Sequence, residues 1–181
     1  MINDILKYNQ MFVKNKLYEP YETTKYPDKK LAIVTCMDTR LLELLPAALG
    51  IKNGDAKIIK NAGGVITHPF GSVVRSLLIA IYELGVEEIL VIGHTNCGVQ
   101  HMDAENLLEN MRKRGISNNA IESLRYCGID FDRWLEGFDD GCVSVAKSVE
   151  LLKKHPLIPK DVRIYGFMMD STSGKLSSVS E

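Results

Sequence analysis

Two short segments of the chain combine side chains that could bind a metal ion. Cys36, Asp38 and Arg40 alternate in Cys-Met-Asp-Thr-Arg, and His94 and Cys97 are three residues apart in His-Thr-Asn-Cys-Gly. Two thiolates and an imidazole form a good ligand set for zinc, and three protein ligands leave a fourth position open, as in a catalytic site. His-x-x-Cys alone is weak evidence, and a lone cysteine at a strand end is more often a small buried hydrophobic residue. Cys-x-Asp-x-Arg carries more information, because it combines three chemically active side chains.

Both segments follow predicted strands. Leu31–Cys36 and residues 88–93 are short apolar runs rich in β-branched residues, which is typical of strands buried on both faces. In an open parallel sheet, ligands bind beyond the carboxyl ends of the strands, so the two segments converge if these strands are neighbours. A backbone that stays extended after Cys36 would place Asp38 and Arg40 on the same face as that thiol.

Short apolar strands alternate with helical patterns along the chain. This predicts an α/β fold with a mostly parallel β-sheet of four to five strands flanked by helices, and with an N-terminal helical arm. The 181 residues are interpreted as one domain, with 1–29 as the arm and its loop, 30–170 as the catalytic core and 171–181 as a tail that forms a weak edge strand or frays. Helices are predicted over residues 2–17, 41–49, 70–84, 99–126 with an interruption at Gly115, and 139–155, and strands over 31–36, 56–60, 88–93 and 162–169.

The composition restricts the predicted cellular compartment and the classes of binding partner. The 22 Lys and Arg residues nearly balance 23 Asp and Glu residues, so no basic excess indicates nucleic acid or an anionic membrane. The N-terminus lacks the apolar segment of a signal peptide, and no apolar run approaches the ~18 residues of a membrane span. We therefore expect a cytoplasmic protein with reduced thiols. Cys127 and Cys142 are interpreted as buried or partly buried structural thiols, with a redox role as the alternative.

The motifs together resemble one known family. Cys-x-Asp-x-Arg, then Asn-Ala-Gly-Gly at residues 61–64, then His-x-x-Cys-Gly are similar to the β-class carbonic anhydrases, and closest to their short bacterial and archaeal branch. The resemblance is strong over residues 30–98 and extends to the last predicted strand and its turn. Many members have Asp where this chain has Asn96, a difference that leaves the metal ligands intact and concerns the hydrogen bonding of the loop.

The resemblance implies a metal site and a catalytic pair. Cys36, His94 and Cys97 would bind Zn²⁺, and Asp38 and Arg40 would form the family's dyad. Released by Arg40, Asp38 could itself become the fourth zinc ligand and close the site.

The implied activity is the zinc-dependent, reversible hydration of carbon dioxide to bicarbonate and a proton, by attack of a zinc-bound hydroxide. Because two thiolates make zinc a weaker Lewis acid than three histidines do, the pKa of the bound water should exceed about 7 and activity should rise toward alkaline pH. The alternatives are hydrolysis of CS₂ or COS at the same zinc site, or a non-catalytic zinc-stabilised domain. The presence of Asp38 and Arg40 argues against the latter, and no Gly-rich phosphate loop supports a nucleotide-binding domain.

Three further features are candidates for a role in function. Gly63 and Gly64 follow a strand end and could let the backbone approach a substrate pocket, although an ordinary turn explains them equally well. His68 is the candidate proton carrier, with an exposed loop histidine as the favoured alternative. The amphipathic N-terminal helix docks either on its own domain or on a partner subunit. The resemblance favours the second, so we expect a homodimer or a dimer of dimers.

Overall fold

The computed structural model of the protein describes residues 1–179, and the last two residues of the predicted tail lie outside the described residues. One five-stranded sheet comprises β1 Leu31–Cys36, β2 Ala56–Asn61, β3 Glu88–His94, β4 Arg163–Met169 and β5 Leu176–Ser178. Its order is β2-β1-β3-β4-β5, with the first four strands parallel and β5 antiparallel at the edge. The predicted α/β class and mostly parallel sheet are confirmed.

Within residues 1–179, seven α-helices pack on this sheet or extend from it. They are α1 Ile2–Lys14, α2 Leu41–Ala48, α3 Ser72–Leu84, α4 Ala104–Lys113, α5 Asn118–Tyr126, α6 Phe131–Leu135 and α7 Gly141–Lys154, with short 3₁₀ turns at Glu19–Tyr21 and Ala62–Gly64. Side-chain oxygens cap the N-termini of α4 to α7 by accepting backbone N–H groups, and they belong to Asp103, Ser117, Asp130 and Asp140. Gly85 ends α3 in the left-handed conformation that glycine adopts readily. Within the described residues, no helix is long and apolar enough to cross a membrane.

The strand order creates a crevice at one place. From β1 the chain adds β2 on one side and β3 on the other, so the carboxyl ends of β1 and β3 flank a topological switch point. The apolar core on one face of the sheet lies under α3 and α7 and includes Leu77 and Leu152. The core on the other face includes Leu41 and Leu45 of α2. These packed helices fix the two strand ends relative to each other.

The predicted helix over residues 99–126 was wrong at its start, whereas its predicted interruption at Gly115 is confirmed, because α4 ends at Lys113 and α5 begins at Asn118. Residues 99–103 form turns, in which the amide of Gln100 donates to the carbonyl of Cys97 and the amide of Met102 to that of Val99. His101, which that helix would have included, has a positive φ of 57° and therefore interrupts any helix. Two capped helices, α4 and α5, follow instead.

The predicted burial of Cys127 and Cys142 was also wrong, since both thiols are exposed. Cys127 lies at the C-cap of α5, where only Ile121 of that helix is buried. Cys142 lies in the first turn of α7, before Val145, the first buried residue of that helix. The spacing of apolar residues predicts where a helix lies. It does not predict that the ends of the helix extend past the core, where a thiol is exposed.

Candidate active site

Three potential metal ligands meet at the switch point. Cys36 is the last residue of β1, His94 is the last residue of β3, and Cys97 lies in the turn that follows β3. All three are buried, and their ligand atoms lie within 4.8 Å of one another. The two Sγ atoms are 3.8 Å apart. Parallel pairing of β1 with β3 brings these residues together.

The geometry and protonation of this group fit zinc. Two thiolates bound at about 2.3 Å to a tetrahedral zinc are about 3.8 Å apart. His94 Nδ1 lies 3.0 Å from the carbonyl oxygen of Thr95, which can only accept, so Nδ1 carries the proton. Nε2 of the same ring is buried without a hydrogen-bond partner among the described residues. Its lone pair therefore faces the two thiols, as a metal ligand requires.

The electrostatics of the ligands also favour a cation. Burial lowers the pKa of His94, which keeps the imidazole in the neutral form that binds metals. Burial raises the pKa of the Cys97 thiol, so its thiolate needs a compensating positive charge nearby. A divalent cation would supply that charge and leave the group of two thiolates and one imidazole neutral overall.

Asp38 and Arg40 form a two-pronged ion pair beside the ligands. Arg40 Nε donates to Asp38 Oδ1 at 2.9 Å, and Nη2 donates to Oδ2 at 2.8 Å. The condition of an extended backbone up to Arg40 is not met, because the chain turns over residues 38–41. The amide of Arg40 donates to Asp38 Oδ1 at 2.9 Å, and that of Leu41 donates to the carbonyl of Asp38. A local turn, rather than a shared strand face, therefore brings the two charges together.

Arg40 determines the charge state of Asp38. Its hydrogen bonds hold the pKa of that carboxyl well below its usual range, and the carboxylate in turn raises the pKa of Arg40. Asp38 Oδ2 lies 3.9 Å from Nε2 of His94. The site thus has an ionised carboxylate next to the ligand group, held away from direct ligation by a guanidinium.

Two more contacts of Arg40 were not predicted from the sequence. Nη2 also donates to the backbone carbonyl of Asn96 at 2.8 Å, and Nη1 donates to Ser171 Oγ at 3.2 Å. Asn96 has a left-handed backbone with φ of 54°, which asparagine tolerates better than most residues. That preference was the available signal for Asn96, whereas nothing in the sequence distinguished Ser171.

The Asn-Ala-Gly-Gly turn lies directly against the end of β1. Gly64 has a φ of +64°, and a Cβ there would lie 2.8 Å from the backbone nitrogen of Cys36. Gly63 has a φ of +81°, and its Cβ would lie 3.1 Å from the Phe138 ring and 3.4 Å from Val99. The two glycines therefore permit the close backbone approach that we considered for them.

His68 lies outside this constellation. Its Nδ1 accepts the amide of Phe70 at 3.0 Å, and its ring contacts the Phe70 ring just before α3. No hydrogen bond or ion pair within residues 1–179 joins His68 to the ligand group.

Comparison with known proteins agrees with this geometry. A family model described as carbonic anhydrase matches residues 31–176. YvdA of Bacillus subtilis, provisionally named as a carbonic anhydrase, is 52% identical over 178 residues, which are 98% of this chain and 90% of that protein. The crystal structure of β-carbonic anhydrase isoform I from Trichomonas vaginalis superimposes with a TM-score of 0.90 at 37% identity, covering 99% of this chain and 97% of the other. A carbon disulfide hydrolase of Saccharolobus solfataricus is 35% identical over 161 residues, 82% of this chain and 76% of that protein.

The chain belongs to the β-carbonic anhydrase family. It is accordingly an enzyme of the carbonic anhydrase class of lyases. The resemblance inferred from three short motifs is thus confirmed at the level of the family.

Proposed function

We propose that this protein catalyses the reversible hydration of carbon dioxide to bicarbonate and a proton, with zinc bound by Cys36, His94 and Cys97. The observation that carries the proposal is the Asp38 carboxylate, which Arg40 holds beside the ligand group, 3.9 Å from His94 Nε2. A structural zinc site would need neither of these charged residues. An enzyme that must orient a water molecule next to a metal has a use for both.

The chain's own residues would orient the reactants. Bound zinc supplies a Lewis acid that makes a water molecule nucleophilic near neutral pH. Asp38 Oδ1 is occupied by the amide and Nε of Arg40. A remaining lone pair of Oδ2 can accept a hydrogen bond from the attacking water, which directs an oxygen lone pair toward the carbon of the substrate.

Asp38 acts in this proposal as an acceptor and not as the final proton carrier. Because Arg40 holds the pKa of Asp38 well below its usual range, the carboxylate is a poor base at physiological pH. The proton of each turnover therefore passes to solvent or buffer. Gly63 and Gly64 would form part of the substrate pocket, since they allow the turn to lie against the metal-ligand edge.

CS₂ or COS is the second substrate candidate, and it is favoured by the similarity to carbon disulfide hydrolases. Metal analysis of the purified protein, with stopped-flow assays of CO₂, COS and CS₂ side by side, separates the alternatives. We expect about one zinc per chain and CO₂ as the fastest substrate. If the protein contains zinc but hydrolyses only CS₂ or COS, the substrate must be reassigned. If it contains zinc but turns over none of the three compounds, the domain is non-catalytic.

Arg40→Ala tests the dyad directly. The variant should lose about 100-fold in the rate of CO₂ hydration, because Asp38 is no longer oriented, while its zinc content stays unchanged. Arg40→Lys is the matched variant, since it keeps the charge but cannot grip both carboxylate oxygens. Near-normal CO₂ hydration by Arg40→Ala would contradict the role of the dyad.

We also propose a homodimer or dimer of dimers in the cytoplasm. No residue of α1 is buried, although the helix is amphipathic, so its apolar face is available to a second copy of the chain. A cytoplasmic location is supported by the free thiols, since a reducing compartment keeps Cys36 and Cys97 able to bind metal.

A further inference from the structure

We propose that Ser171 and Thr95 are positioning residues for Arg40: their hydroxyls hold the guanidinium in the orientation that binds Asp38. This inference rests on the role of Arg40 in the proposed function. It means that the turn between β4 and β5, which carries Ser171, helps to orient the Asp38–Arg40 dyad. Ser171 lies outside the Cys-x-Asp-x-Arg and His-x-x-Cys motifs, and Thr95 occupies a position that the second motif leaves unspecified.

The hydrogen bonds of Arg40 show why Ser171 matters. Four of the five guanidinium N–H donors are engaged. Nε and Nη2 contact the two carboxylate oxygens of Asp38 along one edge of the group, and Nη2 also donates to the carbonyl of Asn96. Ser171 Oγ is the acceptor for Nη1 on the other edge, at 3.2 Å. The Ser171 contact therefore adds a hold on Nη1, the one guanidinium nitrogen that neither Asp38 nor Asn96 contacts among the described residues.

Ser171 is itself held in place by Thr95. The Ser171 side chain is only 5% exposed. Its amide donates to Thr95 Oγ1 at 3.0 Å, and the two hydroxyl oxygens are 3.2 Å apart. Because a guanidinium only donates, Ser171 Oγ must accept from Arg40, and the Thr95 hydroxyl is its other partner. The amide of Thr95 donates to the carbonyl of Met169, which ties this pair to the end of β4.

The turn that carries Ser171 packs closely against α2, the helix that follows Arg40. Gly174, at the end of this turn, lies so close to α2 that a Cβ there would be 2.8 Å from Ala48 Cβ and 3.2 Å from Leu44. Helix α2 begins at the residue after Arg40. The distance between Ser171 and Arg40 is thus set by packing on α2 and by the hydrogen bonds to Thr95.

This arrangement opposes a specific alternative. The Arg40 side chain is 44% exposed and could rotate into solvent. Asp38 would then be free to turn toward the ligand group, where its carboxylate already lies 3.9 Å from His94 Nε2. By holding Nη1, Ser171 favours the state in which Asp38 remains bound to Arg40.

The experiment measures Arg40 itself by NMR in ¹⁵N-labelled, zinc-loaded protein. The readouts are the heteronuclear NOE and the solvent exchange rate of the Arg40 Nε–H group, together with kcat and KM for CO₂. Ser171→Ala should lower the NOE, speed the exchange by about threefold or more, and lower kcat by about three- to tenfold with KM little changed. Thr95→Val should act in the same direction, and Thr95→Ser, which keeps the hydroxyl, should resemble the wild type.

Thr172→Ala is the matched control. Thr172 is exposed in the same turn and only its backbone takes part in the hydrogen bonds there, so this variant should leave the Arg40 signals unchanged. An unchanged Nε–H signal in Ser171→Ala would overturn the proposal, and the same result in Thr95→Val would overturn it if Ser171→Ala does not fold. A wild type that orders Arg40 but does not hydrate CO₂ would refute the proposed function alone, because the NMR comparison does not depend on turnover.

Discussion

Asp170 stabilises the turn that carries Ser171, and its charge makes that stabilisation pH-dependent. Its Oδ1 accepts the amides of Ser173 and Thr172 and the hydroxyl of Ser173, at 2.7 to 3.1 Å. These hydrogen bonds, chiefly that of the Ser173 amide, lower the pKa of Asp170 below its ordinary 3.8. The stabilisation is therefore complete above the ordinary value and is lost as the pH falls through the lower folded-state value.

Asp170→Asn should accordingly unfold at a lower temperature than the wild type near neutral pH. The difference between the two midpoints should shrink as the pH falls through the lowered folded-state pKa of Asp170, because both side chains are neutral below that value. Thermal unfolding across this pH range measures it. Asp161→Asn is the control, because Asp161 is exposed and forms no hydrogen bond or ion pair within residues 1–179. A difference that does not change with pH would show that the charge of Asp170 is unimportant.

Individual residues differed in how well the sequence indicated them. Cys36, His94 and Cys97 could be brought together from the sequence because strand patterns placed them at the same sheet edge. Asn96 contacts Arg40 through a backbone carbonyl, an atom that every residue has, so its residue type indicated the left-handed turn but not this contact. Ser171 reaches Arg40 across 131 positions of sequence, and this contact depends on how one turn packs against α2.

Among the segments that connect strands and helices, the turn after β2 offers the clearest test of a close backbone contact. Gly64→Ala combines a left-handed backbone with a Cβ 2.8 Å from the backbone nitrogen of Cys36. We expect a loss of about 2–4 kcal/mol in the free energy of unfolding, because conformational strain adds to a clash that flexible side chains cannot relieve. Denaturant unfolding measures this loss.

Gly85→Ala is the matched control for that clash. Gly85 also has a positive φ, of 72°, but a Cβ there would meet nothing within 4 Å. Its substitution should cost only the backbone strain, about 1 kcal/mol. Equal losses for the two variants would show that the approach of Gly64 to Cys36 is not important for stability.

Secondary structure was predictable where apolar periodicity was continuous. The strands β1 to β4 and the helices α2, α3 and α7 lie within a few residues of their predicted positions. The region of residues 99–103 was mispredicted because its polar and apolar residues fit a helical pattern, while its backbone is bent by hydrogen bonds to the turn after β3 and to Phe138. Such tertiary contacts override local propensity.

For the whole molecule, the exposed face of α1 predicts self-association. Ile2, Ile5, Leu6 and Val13 lie on one face of the helix and are each more than half exposed. Light scattering should give at least twice the chain mass of 20.2 kDa. A monomer at micromolar concentration would count against the proposed dimer.

Ile5→Glu should weaken that assembly, because it places a charge in the apolar face that would be buried between subunits. Asn3→Glu adds the same charge on another side of the helix and should leave the mass unchanged. Equal dissociation of both variants would place the subunit contact elsewhere than on the apolar face of α1.

The helices α4 to α6 form a unit with its own small apolar cluster of Leu108, Ile121 and Phe131. The unit joins the rest of the protein through a narrow stem, in which the amide of His101 donates to the carbonyl of Phe138 and that of Gly137 to the carbonyl of Met102. None of the proposed metal ligands and neither Asp38 nor Arg40 lies in the chain between the two segments of this stem. We therefore expect that a change in the length of the helical insert leaves Cys36, His94, Cys97 and the Asp38–Arg40 pair in place, which makes the stem a site for grafting another segment.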